Sequence, residues 1–134
     1  MLTGAAAARA AADPQREVLD ELERAMSYMR EATDSRSYLA GADLYRDAII
    51  HGYAGPRLAA AIRSSRSFMP WNFWAEYADT QAHLLPLIEA EYAAIRRKNP
   101  ASARRACIDR ADLMADLLIA ELDRRGVFAD LDSP

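Results

Sequence analysis

The chain has 134 residues, a net charge of −3 and a sequence pI near 5.4, with 51% hydrophobic and 28% charged residues. That length fits one domain around one core, and the acidic balance argues against nucleic acid held on this chain's own surface. The single cysteine, Cys107, excludes an internal disulfide and, with two histidines, a Cys-rich zinc site; a cytoplasmic location fits this cysteine usage.

The composition leans towards Ala, Leu, Glu and Arg, all good helix formers, and no Val/Ile/Thr run marks a strand. The opening MLTGAAAARAAAD is interrupted by Arg9 and lacks a preceding basic stretch. It is too short to span a bilayer, so no signal peptide or membrane segment is expected. It predicts an Ala-rich helix over Thr3–Ala12. Asp13-Pro14 predicts the cap and first position of a second helix, whose apolar positions Val18, Leu19, Leu22, Ala25, Met26 and Met29 carry it to about Arg30.

A third helix is expected from near Asp34 or Ser37 to the Gly52–Pro56 turn, with Leu39, Ala42, Tyr45, Ile49, Ile50 and Tyr53 as its stripe. Pro56 opens a fourth, carrying Leu58, Ala59, Ile62 and Phe68, and Met69-Pro70 marks a joint. From Trp71 to Lys98 the pattern is helical except at Pro86, which removes one hydrogen bond and clashes with the carbonyl of Ala82. One helix is therefore expected to stop near His83 and another to start at Pro86. Asn99-Pro100 ends that block, and a last helix runs from about Ala101 to Arg124, stopped by Gly126. Six or seven helices joined by short turns predict an all-α antiparallel bundle, with 1–134 as a single domain.

Two residues break the amphipathic pattern. Arg46 has Ala42, Ile49, Ile50 and Tyr53 at helical spacing, and Arg110 has Ala106, Cys107, Leu113, Met114 and Leu117. Each guanidinium is thus expected on a core-facing side, where a charge needs compensation. An ion pair with Asp47, Glu91 or Asp109 is one resolution; two inward arginines on different helices also suit an anion pocket, because guanidinium matches carboxylate or phosphate through two parallel bonds. Trp71 to Tyr77 places four aromatics in seven residues, as core, as a partner-binding face, or as a pocket wall through Trp74 and Tyr77. Cys107 reads as a small buried apolar residue rather than a nucleophile. No catalytic set or nucleotide-binding loop stands out.

Taken together, the segments come in a known order. Ala42-Asp43-Leu44-Tyr45-Arg46-Asp47-Ala48-Ile49, then Gly52-Tyr53-Ala54-Gly55-Pro56-Arg57-Leu58, then Ile88 to Asn99-Pro100 with Ala94-Ile95 and Ala103, and the opening Leu2 to Ala12 helix resemble the FCD effector-binding domain of GntR-type transcriptional regulators. The resemblance implies an antiparallel bundle with a central cavity, in which an Asp or Asn and three histidines often hold a divalent metal that ligates a small carboxylic acid. Carried over, those four positions are Ala42, Arg46, Ile88 and Arg110. No metal and no cofactor are expected there; instead Arg46 and Arg110, with Tyr45, Trp74, Tyr77, Ala42 and Ile88 around them, are expected to bind a small anionic effector directly.

The resemblance further implies ligand sensing in a cytoplasmic homodimer that meets DNA only through a winged helix-turn-helix domain, which this chain is not expected to contain. A second reading is a free-standing FCD-like enzyme acting on a small organic molecule, with Tyr45, Asp47 and His51 as acid–base candidates. A third is a bundle that binds a partner through its Trp71–Tyr77 face.

Overall fold

A computed structural model of the chain describes residues 2–66 and 71–127, leaving aside the Arg66 side chain. Among them are seven helices and no strand: α1 (Leu2–Ala12), α2 (Arg16–Glu31), α3 (Ser35–Tyr53), α4 (Gly55–Arg66), α5 (Trp71–Glu76), α6 (Thr80–Arg96) and α7 (Pro100–Arg124). The expected all-α bundle is what forms. Phe68, Met69 and Pro70, expected at a helix end and a joint, lie outside the described residues. No described helix is long and apolar enough to cross a membrane.

The Ala-rich α1 is a core element. Ala6, Ala7, Ala10 and Ala11 are all fully buried, and their small side chains let α1 lie close to α7, α3 and α6 at once. At Gly4 the approach is closest: an added Cβ would stand 3.3 Å from Arg104 Cγ and 3.8 Å from Cys107 Cβ on α7. Short turns fold α2 back on α3 and α6 back on α7, as brief connections between antiparallel helices do.

The helix ends obey local chemistry, with one correction. Asp34 caps α3 by accepting from the Ser37 N–H at 2.7 Å, and Asn99 caps α7 by accepting from the Ser102 N–H at 3.1 Å, with Pro100 in the first turn. By contrast, Asp13-Pro14 does not start α2, which begins at Arg16 with Gln15 as cap. The Tyr53 hydroxyl takes over that turn, donating to the Asp13 carbonyl at 2.9 Å and accepting from the Gln15 N–H at 2.7 Å. Arg9 donates to the last carbonyls of α3, Tyr53 O and Ala54 O, where a cation suits the helix C-terminus.

The second correction concerns Pro86. The break expected between His83 and Pro86 is absent, and α6 runs through the proline. Thr80, Leu84, Ile88, Glu91 and Ile95 form one buried stripe on both sides of it. Burying its apolar members Leu84, Ile88 and Ile95 outweighs the roughly 3 kcal/mol that an interior proline costs.

Candidate functional site: two arginines and one carboxylate beside an apolar pocket

Three helices bring charge into the core. On α3 the buried positions Tyr38, Leu39, Tyr45, Ile49 and Ile50 share a side with Arg46, which is only 4% exposed. On α6, Glu91 belongs to the buried stripe and is 1% exposed. On α7, Arg110 comes nearly one turn after Cys107. Arg46 donates through one terminal nitrogen to Glu91 Oε1 at 3.1 Å, and its other reaches Cys107 Sγ at 3.6 Å. The Cys107 thiol also donates to Glu91 Oε1.

The charges in this cluster do not cancel. Burial works against the Glu91 charge, yet Arg46 and then Arg110 outweigh it and hold the carboxyl below its ordinary range. Burial likewise opposes the charge on Arg46, and Glu91 more than restores it, so this pair is ionic. Arg110 is different: burial, then repulsion from Arg46, lowers it below a normal guanidinium. It makes no hydrogen bond or ion pair with a described residue, and its Nε is enclosed without a partner, as is Arg46 Nε. Two guanidiniums therefore face one carboxylate. Arg110 is half-buried with its Nε enclosed, and two guanidiniums with spare donors match a carboxylate or phosphate.

These arginines open onto a pocket of about 820 Å³. Its walls are mostly apolar, with Ile62, Trp74, Leu84, Met114 and Leu118 among them, while Thr3, Tyr38 and Asp43 add polar groups. The Tyr38 hydroxyl is buried without a partner, and burial raises it well above the usual phenol range although the charges of Arg110 and Arg46 pull it down. An apolar cavity with a few convergent polar donors is the usual form of a small-molecule site.

Of the residues expected around the ligand, Ala42, Arg46, Trp74 and Arg110 meet on this pocket, and Tyr45, Tyr77 and Ile88 do not line it. Tyr45 is fully buried behind Arg46, close enough to Glu91 for that charge to add to the effect of burial on its phenol. Tyr77 lies in an aromatic stack, 5.7 Å from Phe73 and 6.2 Å from His83, which also occupies the face proposed for a partner. Ile88 packs in the core at 2% exposure. The acid–base candidates fall elsewhere as well: His51 is exposed, its Nδ1 3.0 Å from the Asp47 carbonyl oxygen, and neither residue lines the pocket.

Two contributors escaped the sequence reading as site residues. Glu91 was legible only as one possible counter-ion, yet it stands between Ile88 and Ile95 in an otherwise apolar stripe, the same signature that singled out the arginines. Tyr38 precedes Ala42 by four residues and Arg46 by eight, which puts all three on one face of α3.

Residues 1–112 match the family described as the FCD domain. The chain belongs to that family. The FCD match includes the two arginines, Glu91 and Tyr38. Among curated proteins, two named as uncharacterized HTH-type transcriptional regulators, from Mycobacterium tuberculosis strains CDC 1551 / Oshkosh and H37Rv, are each 43% identical over 127 residues, covering 95% of this chain and 52% of the relative. The chain thus spans about half the length of the curated relatives it matches. No solved structure matches it. The four positions carried over by the resemblance to the family's metal site hold Ala42, Arg46, Ile88 and Arg110, two hydrocarbon side chains and two cations, a set whose chemistry does not suit a divalent metal. Among the described residues no three His, Cys, Asp or Glu side chains gather as a metal set.

Proposed function

We propose that this FCD domain is the effector-sensing part of a GntR-type transcriptional regulator, and that its effector is a small organic anion gripped by Arg46 and Arg110 without a metal. The observation that carries the reading is Arg110. It is a cation with an enclosed, unpartnered Nε on the wall of an apolar pocket, with no ion-pair partner among the described residues, beside the Arg46–Glu91 pair. The family and the regulator names of the relatives support the role of the domain.

In this reading the anion supplies the missing negative charge and draws α3 and α7 to a common point. Where the domain is joined to a DNA-binding module, an effect of that kind on operator affinity amounts to a coupling of about 1–3 kcal/mol. A homodimer and a cytoplasmic location belong to the same proposal; sedimentation of the purified chain tests the first.

The experiment is a thermal-shift screen of small carboxylic acids on the wild type, Arg110→Ala and the Arg46→Ala/Arg110→Ala double variant. Stabilisation should rise with ligand concentration, by about 2.7 kcal/mol at a hundred times Kd, and vanish in both variants. An unchanged shift in the double variant sinks the arginine grip.

A further inference from the structure

We infer that the pocket selects by charge number: it accepts an organic monoanion with an apolar or aromatic body, it rejects the dianion, and Glu91 sets that limit. The inference rests on the effector-binding reading and narrows it to a ligand class.

The count comes from the partners each group has. Arg46 directs one terminal nitrogen to Glu91 and the other to Cys107, which leaves its Nε. Arg110 has no hydrogen-bond or ion-pair partner among the described residues, and its Nε is enclosed. Arg46 and Arg110 are the only cations among the described residues of the pocket wall. Glu91, fully enclosed with its Oε2 unpartnered, cancels one of them. Asp43, on the same wall, has an interaction of its own, so within the set of Arg46, Arg110 and Glu91 one positive charge is left for a ligand to neutralise.

A second negative charge on that ligand would find no further cation among the described residues of the wall. It would instead meet the charge of Glu91 behind the arginines. Like charges brought together away from water repel strongly. The rest of the cavity asks for hydrocarbon, since Trp74, Leu84, Ile62, Met114 and Leu118 line it. The Tyr38 hydroxyl, unpartnered and within the field of both arginines, gives one further donor to the anion.

Phenyl phosphate tests the rule because its charge changes within the assay. It is a monoanion below its second ionisation near pH 6 and a dianion above it, whereas phenylacetate carries one charge throughout. Among the described residues the titratable groups on the pocket wall are Tyr38, Asp43 and Arg46 on α3 and Arg110 on α7, with Glu91 on α6 and Cys107 on α7 behind the arginines. None of these types ordinarily titrates between pH 5 and pH 8, so the probe is what changes.

By calorimetric titration of the full chain, wild-type affinity for phenyl phosphate should fall at least about tenfold from pH 5 to pH 8, while phenylacetate stays nearly constant. In Glu91→Gln the phosphate trend should reverse, with the dianion bound at least as tightly as the monoanion. If the wild type binds phenyl phosphate as well at pH 8 as at pH 5, the charge rule is wrong although the effector reading stands. If neither probe binds at any pH, the effector reading fails and takes the rule with it. Should Glu91→Gln not fold, the wild-type pair of titrations decides alone, and Glu91→Asp, which keeps the charge, should retain the monoanion preference.

Discussion

The Cys107 thiol and the Arg46 guanidinium both donate to one oxygen of Glu91, Oε1. That single atom joins α3, α6 and α7 in the middle of the bundle. Removing it strands a buried guanidinium, so Glu91→Ala should destabilise the fold by about 3–5 kcal/mol. The apolar double variant Arg46→Met/Glu91→Leu should recover most of that loss, because hydrocarbon of similar size replaces both charges. Urea denaturation of the three proteins measures it; a Glu91→Ala cost below about 1 kcal/mol would show that the pair is not structural.

Arg110 should behave in the opposite way. Lacking a hydrogen-bond or ion-pair partner among the described residues, it opposes folding in the absence of a ligand, so Arg110→Met should raise stability by about 1 kcal/mol while abolishing the stabilisation expected from carboxylic acids. Denaturation with and without ligand separates these two effects. A destabilised Arg110→Met would mean that the guanidinium is satisfied within the fold.

The contact of α2 with α3 depends on a missing side chain. A Cβ on Gly41 would stand 2.8 Å from Met29 Cγ, 2.9 Å from Tyr28 Cδ1 and 3.2 Å from the Met29 backbone nitrogen. The two side chains can shift, but the backbone cannot. Gly41→Ala should therefore cost about 1–3 kcal/mol despite the better helix propensity of alanine. Gly52→Ala, whose Cβ would meet the Val18 side chain alone, at 3.0 Å from Cγ2 and 3.9 Å from Cγ1, should cost less, and thermal melts of the two rank them.

Stability should fall off on both sides of neutrality. Glu91, held below its ordinary value of 4.5 because Arg46 and Arg110 outweigh burial, contributes stability that is complete above that value and is lost as the pH falls through the depressed one. At the alkaline end, burial pushes the Cys107 thiol from 9.0 to about 11. The unfolded chain then gives up its proton first, and stability declines as the pH rises past 9. Urea midpoints across pH 3 to pH 10 should show a plateau between these limits, with the acid limb flattened in Glu91→Gln and the alkaline limb in Cys107→Ala. An acid limb of equal depth in Glu91→Gln would assign it to other carboxylates.

Helical periodicity made the bundle and most of its boundaries readable, because buried positions such as Leu22, Met26 and Met29 recur every three or four residues, and Asp34 and Asn99 cap the helices that start after them. Pro86 and Asp13-Pro14 misled for the same reason: local rules were applied where tertiary contacts decide. The buried stripe from Thr80 to Ile95 holds α6 together across its proline, and the Tyr53 hydroxyl, 40 residues from Asp13, replaces a local cap. In the site, each arginine announced itself as a charge on an apolar face, but periodicity along one helix does not say which charge on another helix answers it. Glu91 became visible only once α6 lay beside α3 and α7. Tyr77 and Ile88 were drawn in by proximity in sequence or by alignment with the family, and the packing of the aromatics and of the core claims them instead.

The close seat of Gly4 against Arg104 and Cys107 has a mechanical meaning. Cys107 lies three residues before Arg110 on α7, and its sulfur stands 4.0 Å from the Thr3 carbonyl, so α1 touches the helix that carries Arg110 with backbone rather than with a pliant side chain. A displacement of α7 towards a captured anion has little slack to absorb it there. Under the proposed reading, the first helix of the chain is therefore placed to move with α7.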